Sequence, residues 1–253
     1  MANRYLKNLE KIEFVATYAC TGRCKHCSEG NHTSCGESID PKAAAEAIGR
    51  ITSEYGIKTV LVFGGEPLLC LEAVEEIIRK AKDSGVPKRQ VITNGYFSNN
   101  PDKISEVARR LEVCGVNDLL LSVDAFHQET IPIDTVKTFA REAKRTGLCI
   151  RLQPAWMVSP EDRNPYNVRT REILDGFIGM GIPVSEGNIV FPEGNARIYL
   201  AEYFGDVIPV NPYLEDPCDV RCLSFDPNGD VLGGNIYRQD IMTIIDKYSP
   251  DNM

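Results

Sequence analysis

Three cysteines lie close together near the start of the 253-residue chain, in the segment "ATYACTGRCKHCSEG". Cys20, Cys24 and Cys27 follow the spacing C-x3-C-x2-C. A structural zinc site has four protein ligands, and a simple iron–sulfur cluster is held by four cysteines. A [4Fe–4S] cluster on three thiolates leaves one iron open for a ligand that takes part in the chemistry. The alternative at this point is a zinc site completed by His26, His32 or Cys35.

The chain around this motif alternates short apolar runs with amphipathic stretches, which predicts repeated strand–helix units. The predicted strands are "KIEFVAT", "KTVLVFGG", "RQVITNG", "DLLLSVDAF", "LCIRLQPAW" and "IPVSEGNIVF". Amphipathic segments follow the first five strands, and Asp40 and Pro41 predict the start of the first helix. A glycine ends each predicted helix, where a left-handed cap is expected, at Gly56, Gly85, Gly115, Gly147 and Gly181.

Six such units predict an α/β fold, a partial (β/α)6 barrel of the TIM type with a short C-terminal appendage. We expect the barrel to span residues 1–196 and the extension 197–253, where "DPNGD" predicts a β-hairpin turn. Active sites of such barrels lie at the carboxyl ends of the strands. The cysteines and the segments "GGEP", "TNG" and "SVD" all follow predicted strands. We therefore expect them to lie together at the carboxyl end of the barrel, which is called the barrel mouth below.

The cysteine motif resembles the signature of the radical S-adenosylmethionine (radical SAM) superfamily, C-x3-C-x-(aromatic)-C, with His26 at the aromatic position. The resemblance implies an open-coordinated [4Fe–4S] cluster on Cys20, Cys24 and Cys27. It also implies that S-adenosylmethionine binds the open iron and is cleaved to a 5′-deoxyadenosyl radical, which abstracts hydrogen from a substrate.

Further segments carry the resemblance, which runs from about Ile12 to Ala196 and includes "FPEGNA" after the sixth strand. "FGGEP" is similar to the family's GGE motif, which contacts the amino group of the cofactor, and "TNG" and "SVD" recur near its carboxylate and ribose. Strand alternation puts Ser122 and Asp124 on one face, and likewise Arg151 and Gln153. The implied cofactor contacts are His26, Gly64, Gly65, Glu66, Asn94, Ser122, Asp124, Arg151 and Gln153.

The tail "CDVRCLSFDPNGDVLGGNI" resembles the start of the auxiliary-cluster extension called SPASM or twitch. A third cysteine expected after the second strand is absent, and Cys218 and Cys222 are too few for an auxiliary cluster. We therefore expect a degenerate extension that has lost its cluster. A free thiol at Cys222, folded over the barrel mouth, is a candidate hydrogen donor to a substrate radical.

Composition excludes some classes of function. With 28 basic and 36 acidic residues the net charge is −8, which argues against nucleic-acid binding through a basic surface. No apolar run approaches the ~18 residues of a membrane span, and no signal-peptide core precedes the first strand. We expect a cytoplasmic protein, in which nine cysteines favour metal or redox chemistry over disulfides.

These patterns favour a radical SAM enzyme acting on a peptide or small metabolite. A flavodoxin- or ferredoxin-type reductase would supply its electrons. An activating enzyme that makes a glycyl radical on a partner protein is the second hypothesis. A non-enzymatic metal-binding protein is the third.

Overall fold

The computed structural model describes residues 3–30, 36–205 and 211–250. Ten strands are found there: β1 (Lys11–Val15), β2 (Thr59–Phe63), β3 (Lys88–Thr93), β4 (Asp118–Ser122), β5 (Ile150–Gln153), β6 (Ala155–Trp156), β7 (Asn188–Ile189), β8 (Cys222–Phe225), β9 (Asp230–Val231) and β10 (Gly234–Asn235). The helices are α1 (Pro41–Glu54), α2 (Leu71–Asp83), α3 (Pro101–Cys114), α4 (Ala125–Gln128), α5 (Ile133–Arg145), α6 (Pro165–Asp175), α7 (Gly194–Tyr199) and α8 (Ile241–Lys247). No helix of the described ranges is long and apolar enough to cross a membrane.

A six-stranded parallel sheet forms the centre of the molecule, in the order β5-β4-β3-β2-β1-β8. The strands alternate with helices along the chain, and a parallel connection of this kind requires a crossover. The sheet curls without closing, which confirms the predicted partial barrel.

The helices α1, α2, α3 and α5 bury their apolar residues in the main hydrophobic core, together with apolar residues of the sheet. Leu121, Val123, Ile150 and Leu152 all belong to the main hydrophobic core, as strand alternation predicts. The side chains between them on β4 and β5 therefore face the inside of the barrel.

The predicted sixth strand is shorter than expected. Val184 bridges to Leu152, and β7 pairs with β6 as a separate parallel pair. Pro154 interrupts the neighbouring strand, because proline has no N–H to donate to a ladder. Gly187 lies against the same point, with φ of +81° and no room for a Cβ beside Pro154 O.

The tail contributes a strand to the barrel as well as packing on it. β8 pairs in parallel with β1, matching Cys222 to Lys11 and Phe225 to Phe14. The rings of Phe14 and Phe225 stack at 4.8 Å, and both are fully buried. An unpaired edge at β1 would expose backbone donors and acceptors, so the tail strand satisfies that edge.

A β-hairpin is present in the extension, but it lies just after the predicted turn. Asp226–Asp230 does form a turn, closed by the bond from Gly229 N to Asp226 O at 3.0 Å. The antiparallel pair is β9–β10, joined through Leu232 and Gly233, both with positive φ. A two-residue turn with positive φ at both positions matches the right-handed twist of a hairpin.

Helix ends follow the predicted signals with two exceptions, Gly56 and Gly181. α6 already ends at Asp175, and Gly181 instead ends a short 3-10 turn at Ile178–Met180. Asp40 caps α1 by accepting a bond from Ala43 N at 2.8 Å. Gly115 caps α3 with φ of +105°, whereas α1 ends at Glu54 with an extended Tyr55, so Gly56 is not its cap.

Candidate active site

The cysteine loop follows β1 directly, at the carboxyl end of the sheet. Cys24 is buried, Cys20 and Cys27 are half-buried, and no disulfide joins any of the three to another cysteine of the described ranges. Cys27 N donates to Cys24 O at 3.3 Å, which bends the loop back on itself. His32 and Cys35, the alternative zinc ligands, lie outside the described residues.

Main-chain contacts explain why two glycines precede Glu66. Gly65 N donates to Thr17 O at 2.7 Å, and Glu66 N donates to Ala19 O at 2.8 Å. A Cβ on Gly65 would lie 2.1 Å from Ala19 O, and one on Gly64 would lie 2.6 Å from Thr17 O. Only glycine allows this approach. The GGE segment therefore packs its backbone against the start of the cysteine loop.

Glu66 is fully buried and ties two loops together. Its carboxylate accepts bonds from Leu68 N at 3.0 Å, Thr93 Oγ1 at 2.7 Å and Asn94 N at 2.8 Å. Burial raises its pKa to about 7, although these three donors favour the charged form. Glu66 thus joins the GGE turn to the TNG turn after β3.

Asn94 links the TNG turn to the cysteines. Its Nδ2 lies 3.6 Å from Cys20 Sγ and 3.2 Å from Thr21 Oγ1, while its Oδ1 accepts a bond from Tyr96 N. Gly22 N also donates to Cys20 Sγ, at 3.3 Å. Two N–H donors therefore approach this one sulfur.

A residue that the sequence analysis did not single out holds the other half of the loop. Asn195, at the start of α7, donates from Nδ2 to Cys24 O at 3.1 Å and to Gly30 O at 3.3 Å. Its backbone N donates to Cys27 O at 2.9 Å. The neighbouring Gly194 has φ of +51°, and a Cβ there would lie 2.3 Å from Ser28 O. The "FPEGNA" segment contained the signal, because Gly-Asn at a helix start is suited to close backbone contact.

The fully buried Asp124 pairs with the half-buried His127 beside Cys24. Asp124 caps α4 by accepting from His127 N at 3.0 Å, and its Oδ2 lies 2.8 Å from His127 Nδ1. Burial alone would raise the pKa of Asp124, but the charge and hydrogen bonds of His127 outweigh it and lower that pKa. Ser122, at the end of β4, faces the same interior and is 8% exposed.

His26 packs into the same aromatic group. Its ring lies 4.8 Å from Phe126 and 4.8 Å from His127, measured between centroids. Burial lowers its pKa to about 4, so the imidazole is neutral at pH 7.

Two of the predicted cofactor residues on β5 are bonded elsewhere. Arg151 makes two hydrogen bonds to Asp118, at 3.0 and 2.8 Å, and Asp118 is the first residue of β4. Its guanidinium therefore lies toward the amino end of the strands. Gln153 donates to Asn188 Oδ1 at 3.1 Å, nearer the mouth.

Cys222 does not lie over the barrel mouth, the position predicted from the sequence. It pairs with Lys11 at the start of β1, while the cysteine loop follows Val15 at the end of that strand. Four residues of parallel strand separate the two positions, or about 13 Å along the strand. Because β8 runs parallel to β1, its first residue, Cys222, lies at the amino end of the strands, opposite the barrel mouth.

Metal binding suits the three thiols of the loop. Burial raises the pKa of Cys24 well above its usual value, and the negative charges of Asp124, Cys20 and Cys27 raise it further. Burial likewise raises the pKa of Cys27 to about 11. Without a cation these groups stay protonated at pH 7, and a bound metal would displace the protons. The donor set fits an iron–sulfur cluster, whose natural ligands are thiolates.

Comparison with known proteins decides the family. The sequence model of the family described as "Radical SAM superfamily" matches residues 14–148, more than half of the chain. The chain belongs to the radical SAM superfamily. A [4Fe–4S] cluster and S-adenosylmethionine are the cofactors of this superfamily, and the prediction of these two cofactors is confirmed.

Relatives of this radical SAM protein are named "Probable GTP 3',8-cyclase". The protein from Metallosphaera sedula is 30% identical over 155 residues, covering 58% of this chain and 46% of the relative. One from Saccharolobus islandicus is 26% identical over 223 residues, covering 85% and 68%. The matched part of this chain therefore spans about half the length, 46%, of the Metallosphaera sedula protein.

Solved structures share the fold of this radical SAM protein. Streptococcus suis SuiB bound to precursor peptide SuiA superposes with a TM-score of 0.65 and 14% identity, covering 97% of this chain and 66% of SuiB. The anSMEcpe structure with bound AdoMet gives a TM-score of 0.60 and 13% identity, covering 96% and 82%.

Proposed function

We propose that the chain holds an open-coordinated [4Fe–4S] cluster on Cys20, Cys24 and Cys27 and cleaves S-adenosylmethionine to start hydrogen abstraction. The observation that carries the proposal is the convergence of the GGE and TNG segments on the cysteine loop through direct hydrogen bonds. When bound, the cluster and S-adenosylmethionine would supply an electron and a carbon-centred radical.

The residues around the loop act by holding it in place. The backbone of Gly65 and Glu66 supports the loop before Cys20, and Asn195 supports it from Cys24 to Gly30. The three sulfurs then need little rearrangement to bind iron. Asn94 and Gly22 donate toward Cys20 Sγ, and hydrogen bonds to a ligating sulfur tune the potential of a cluster.

The proposed contacts to S-adenosylmethionine all lie at the barrel mouth. Gly64, Gly65 and Glu66 would contact its amino group. Asn94, Ser122 and Asp124 would lie near its carboxylate and ribose, and His26 and Gln153 would be further contacts. Glu66 already accepts three hydrogen bonds, so it would contact an ammonium through a lone pair that these bonds leave unused. Arg151 and Cys222 are not part of this proposal, because their side chains lie toward the far end of the strands.

The proposed substrate is a peptide or a small metabolite, with a flavodoxin- or ferredoxin-type protein as reductant. SuiB, which shares the fold, is bound to a peptide, and this supports the peptide class. The name of the sequence relatives favours a second candidate, a purine nucleoside triphosphate. The glycyl-radical alternative has less support, since its partner is a large protein and no relative named above carries that activity. Incubation with each class, followed by mass spectrometry for substrate-dependent loss of hydrogen, would separate them.

One experiment tests the cluster and the cofactor together. The anaerobically reconstituted protein should contain about four irons per chain and one S = 1/2 signal after dithionite, and S-adenosylmethionine should shift that signal. Cys27→Ser should lose most of the iron, whereas Cys149→Ser, an exposed thiol outside the loop, should keep it. About eight irons would contradict a single cluster and would point to a second site at Cys218 and Cys222. An unshifted signal would contradict cofactor binding at the cluster.

A further inference from the structure

A second group of metal-ligand atoms overlaps the cysteine loop. Cys24 Sγ and one nitrogen from each of His26 and His127 all lie within 4.8 Å of one another. Cys24 and His26 belong to the loop, while His127 belongs to α4 after β4. Two separate elements therefore bring a thiol and two imidazoles together, without using Cys20 or Cys27.

His127 is oriented as metal-binding histidines are. Asp124 is fully buried, and its Oδ2 lies 2.8 Å from His127 Nδ1. A carboxylate accepts hydrogen bonds, so Nδ1 is the donor of this pair and Nε2 is the ring nitrogen available to a ligand. A second bond, from Ala155 N to Asp124 Oδ2 at 3.1 Å, fixes the carboxylate itself. A carboxylate that holds one ring nitrogen while the other binds metal is the usual outer shell of a zinc site.

His26 offers the second imidazole. Its Nδ1 is buried and has no hydrogen-bond partner among residues 3–30, 36–205 and 211–250. Leaving a buried polar nitrogen unpaired is unfavourable, so a nitrogen in this state calls for a ligand. The rings of Phe126 and His127 both pack against the His26 ring, each at 4.8 Å between centroids.

We propose that Cys24, His26 and His127 bind one zinc ion when the cluster is absent. One thiolate and two neutral imidazoles are ligands that Zn²⁺ prefers, and a water completes the tetrahedron. Tetrahedral zinc holds its ligand atoms about 3.3–3.6 Å apart, so the present atoms need to approach by at most about 1.5 Å. Zinc binding itself does not depend on the proposed function. Only the consequence rests on it: Cys24 would serve both metals, so zinc and the cluster exclude one another.

Cobalt(II) and zinc titrations of the cluster-free protein test this site. We expect one Co²⁺ per chain, tetrahedral visible bands and charge-transfer absorption from a single thiolate, with Zn²⁺ displacing it. His127→Ala and His127→Gln should each weaken binding, and Asp124→Asn should weaken it about 10–100-fold through the lost outer shell. Cys20→Ser and Cys27→Ser should change it by less than about threefold, since neither thiol is a ligand.

Three results would overturn the proposal. They are no binding by the wild-type protein, charge-transfer intensity of three thiolates, and loss of binding in Cys20→Ser or Cys27→Ser. In the last two cases the ion lies on the cysteine triad.

Reconstitution of the cluster in the presence of zinc tests whether the two metals exclude one another. Equimolar zinc should block reconstitution of the wild-type protein but not of His127→Ala. Cluster formation in zinc-free samples of both proteins reports on the proposed function separately. If the zinc-loaded wild type assembles the cluster as well as the zinc-free wild type does, the two metals do not exclude one another and this part of the proposal is wrong.

Discussion

Replacement of Gly65 by alanine isolates the contact between the GGE segment and the cysteine loop. The added Cβ would lie 2.1 Å from Ala19 O and 2.6 Å from Ala19 C, both main-chain atoms that no rotamer change can move. Ordinary contact begins at 3.4 Å, so the loop must retreat by about 1.3 Å. Gly65 has no positive φ, and the effect is therefore steric alone.

The expected magnitude has two parts. Overpacking of this kind costs about 1–3 kcal/mol. The retreat also weakens the bonds from Gly65 N to Thr17 O and from Glu66 N to Ala19 O, each worth about 1 kcal/mol. We expect a loss of about 3–5 kcal/mol in the free energy of unfolding, which is a large part of the total for a domain. Metal–ligand distances tolerate only about 0.2 Å, so iron binding should fall as well.

Urea unfolding of the cluster-free protein, followed by iron counting after reconstitution, measures both effects. Gly56→Ala is the matched control, because Gly56 has nothing within 4 Å of the added Cβ and no positive φ. The control should unfold like the wild type and take up iron normally. If Gly65→Ala has the free energy of unfolding and the iron content of the wild type, the reasoning is wrong, because the cysteine loop then moves away from the added Cβ without loss of stability.

Three further predictions follow from buried contacts. Asn195→Ala removes two hydrogen bonds to loop carbonyls, so a chelator should strip the cluster about tenfold faster or more, seen as loss of visible absorbance; an unchanged rate would contradict this support. Glu66 has a folded-state pKa of about 7 against an ordinary 4.5, so its proton favours the folded state. That stability is fully present below pH 4.5 and is lost as the pH rises through about 7, about 3 kcal/mol in all. Glu66→Gln should flatten this slope in urea unfolding, and an unchanged slope would assign it to other groups. Phe225→Ala should lower the free energy of unfolding by about 3–5 kcal/mol through loss of the buried ring stacked on Phe14, and a change below about 1 kcal/mol would mean that β8 is not part of the core.

The sequence predicted those parts of the fold that depend on local pattern. Alternation along β4 and β5 identified the inward side chains, because strand geometry fixes the face of each residue. Asp40 and Gly115 act as the caps that their residue types indicate. The convergence of the cysteines with "GGEP" and "TNG" followed from the rule that parallel strands end on one side.

The sequence did not predict what depends on distant partners. Nothing in "CLSF" states that β8 joins β1 in parallel, and this one fact moves Cys222 to the far end of the barrel. Arg151 faces inward as expected, yet Asp118, 33 residues away, decides which way along the barrel its guanidinium points. Strand pairing and ion pairs of this kind are set by tertiary packing, and local propensity carries no information on them.

The three cysteines are unequal, and the contacts around them explain the difference. Cys20 Sγ receives Gly22 N and Asn94 Nδ2, and these donors together with Arg23 oppose the rise in pKa that burial causes there. Backbone N–H groups of Glu29 and Gly30 oppose the rise at Cys27 in the same way, yet burial still brings its pKa to about 11. Cys24 is buried beside Asp124, and its pKa is raised well above the usual value. All three thiols therefore keep their protons at pH 7 until a bound metal displaces them.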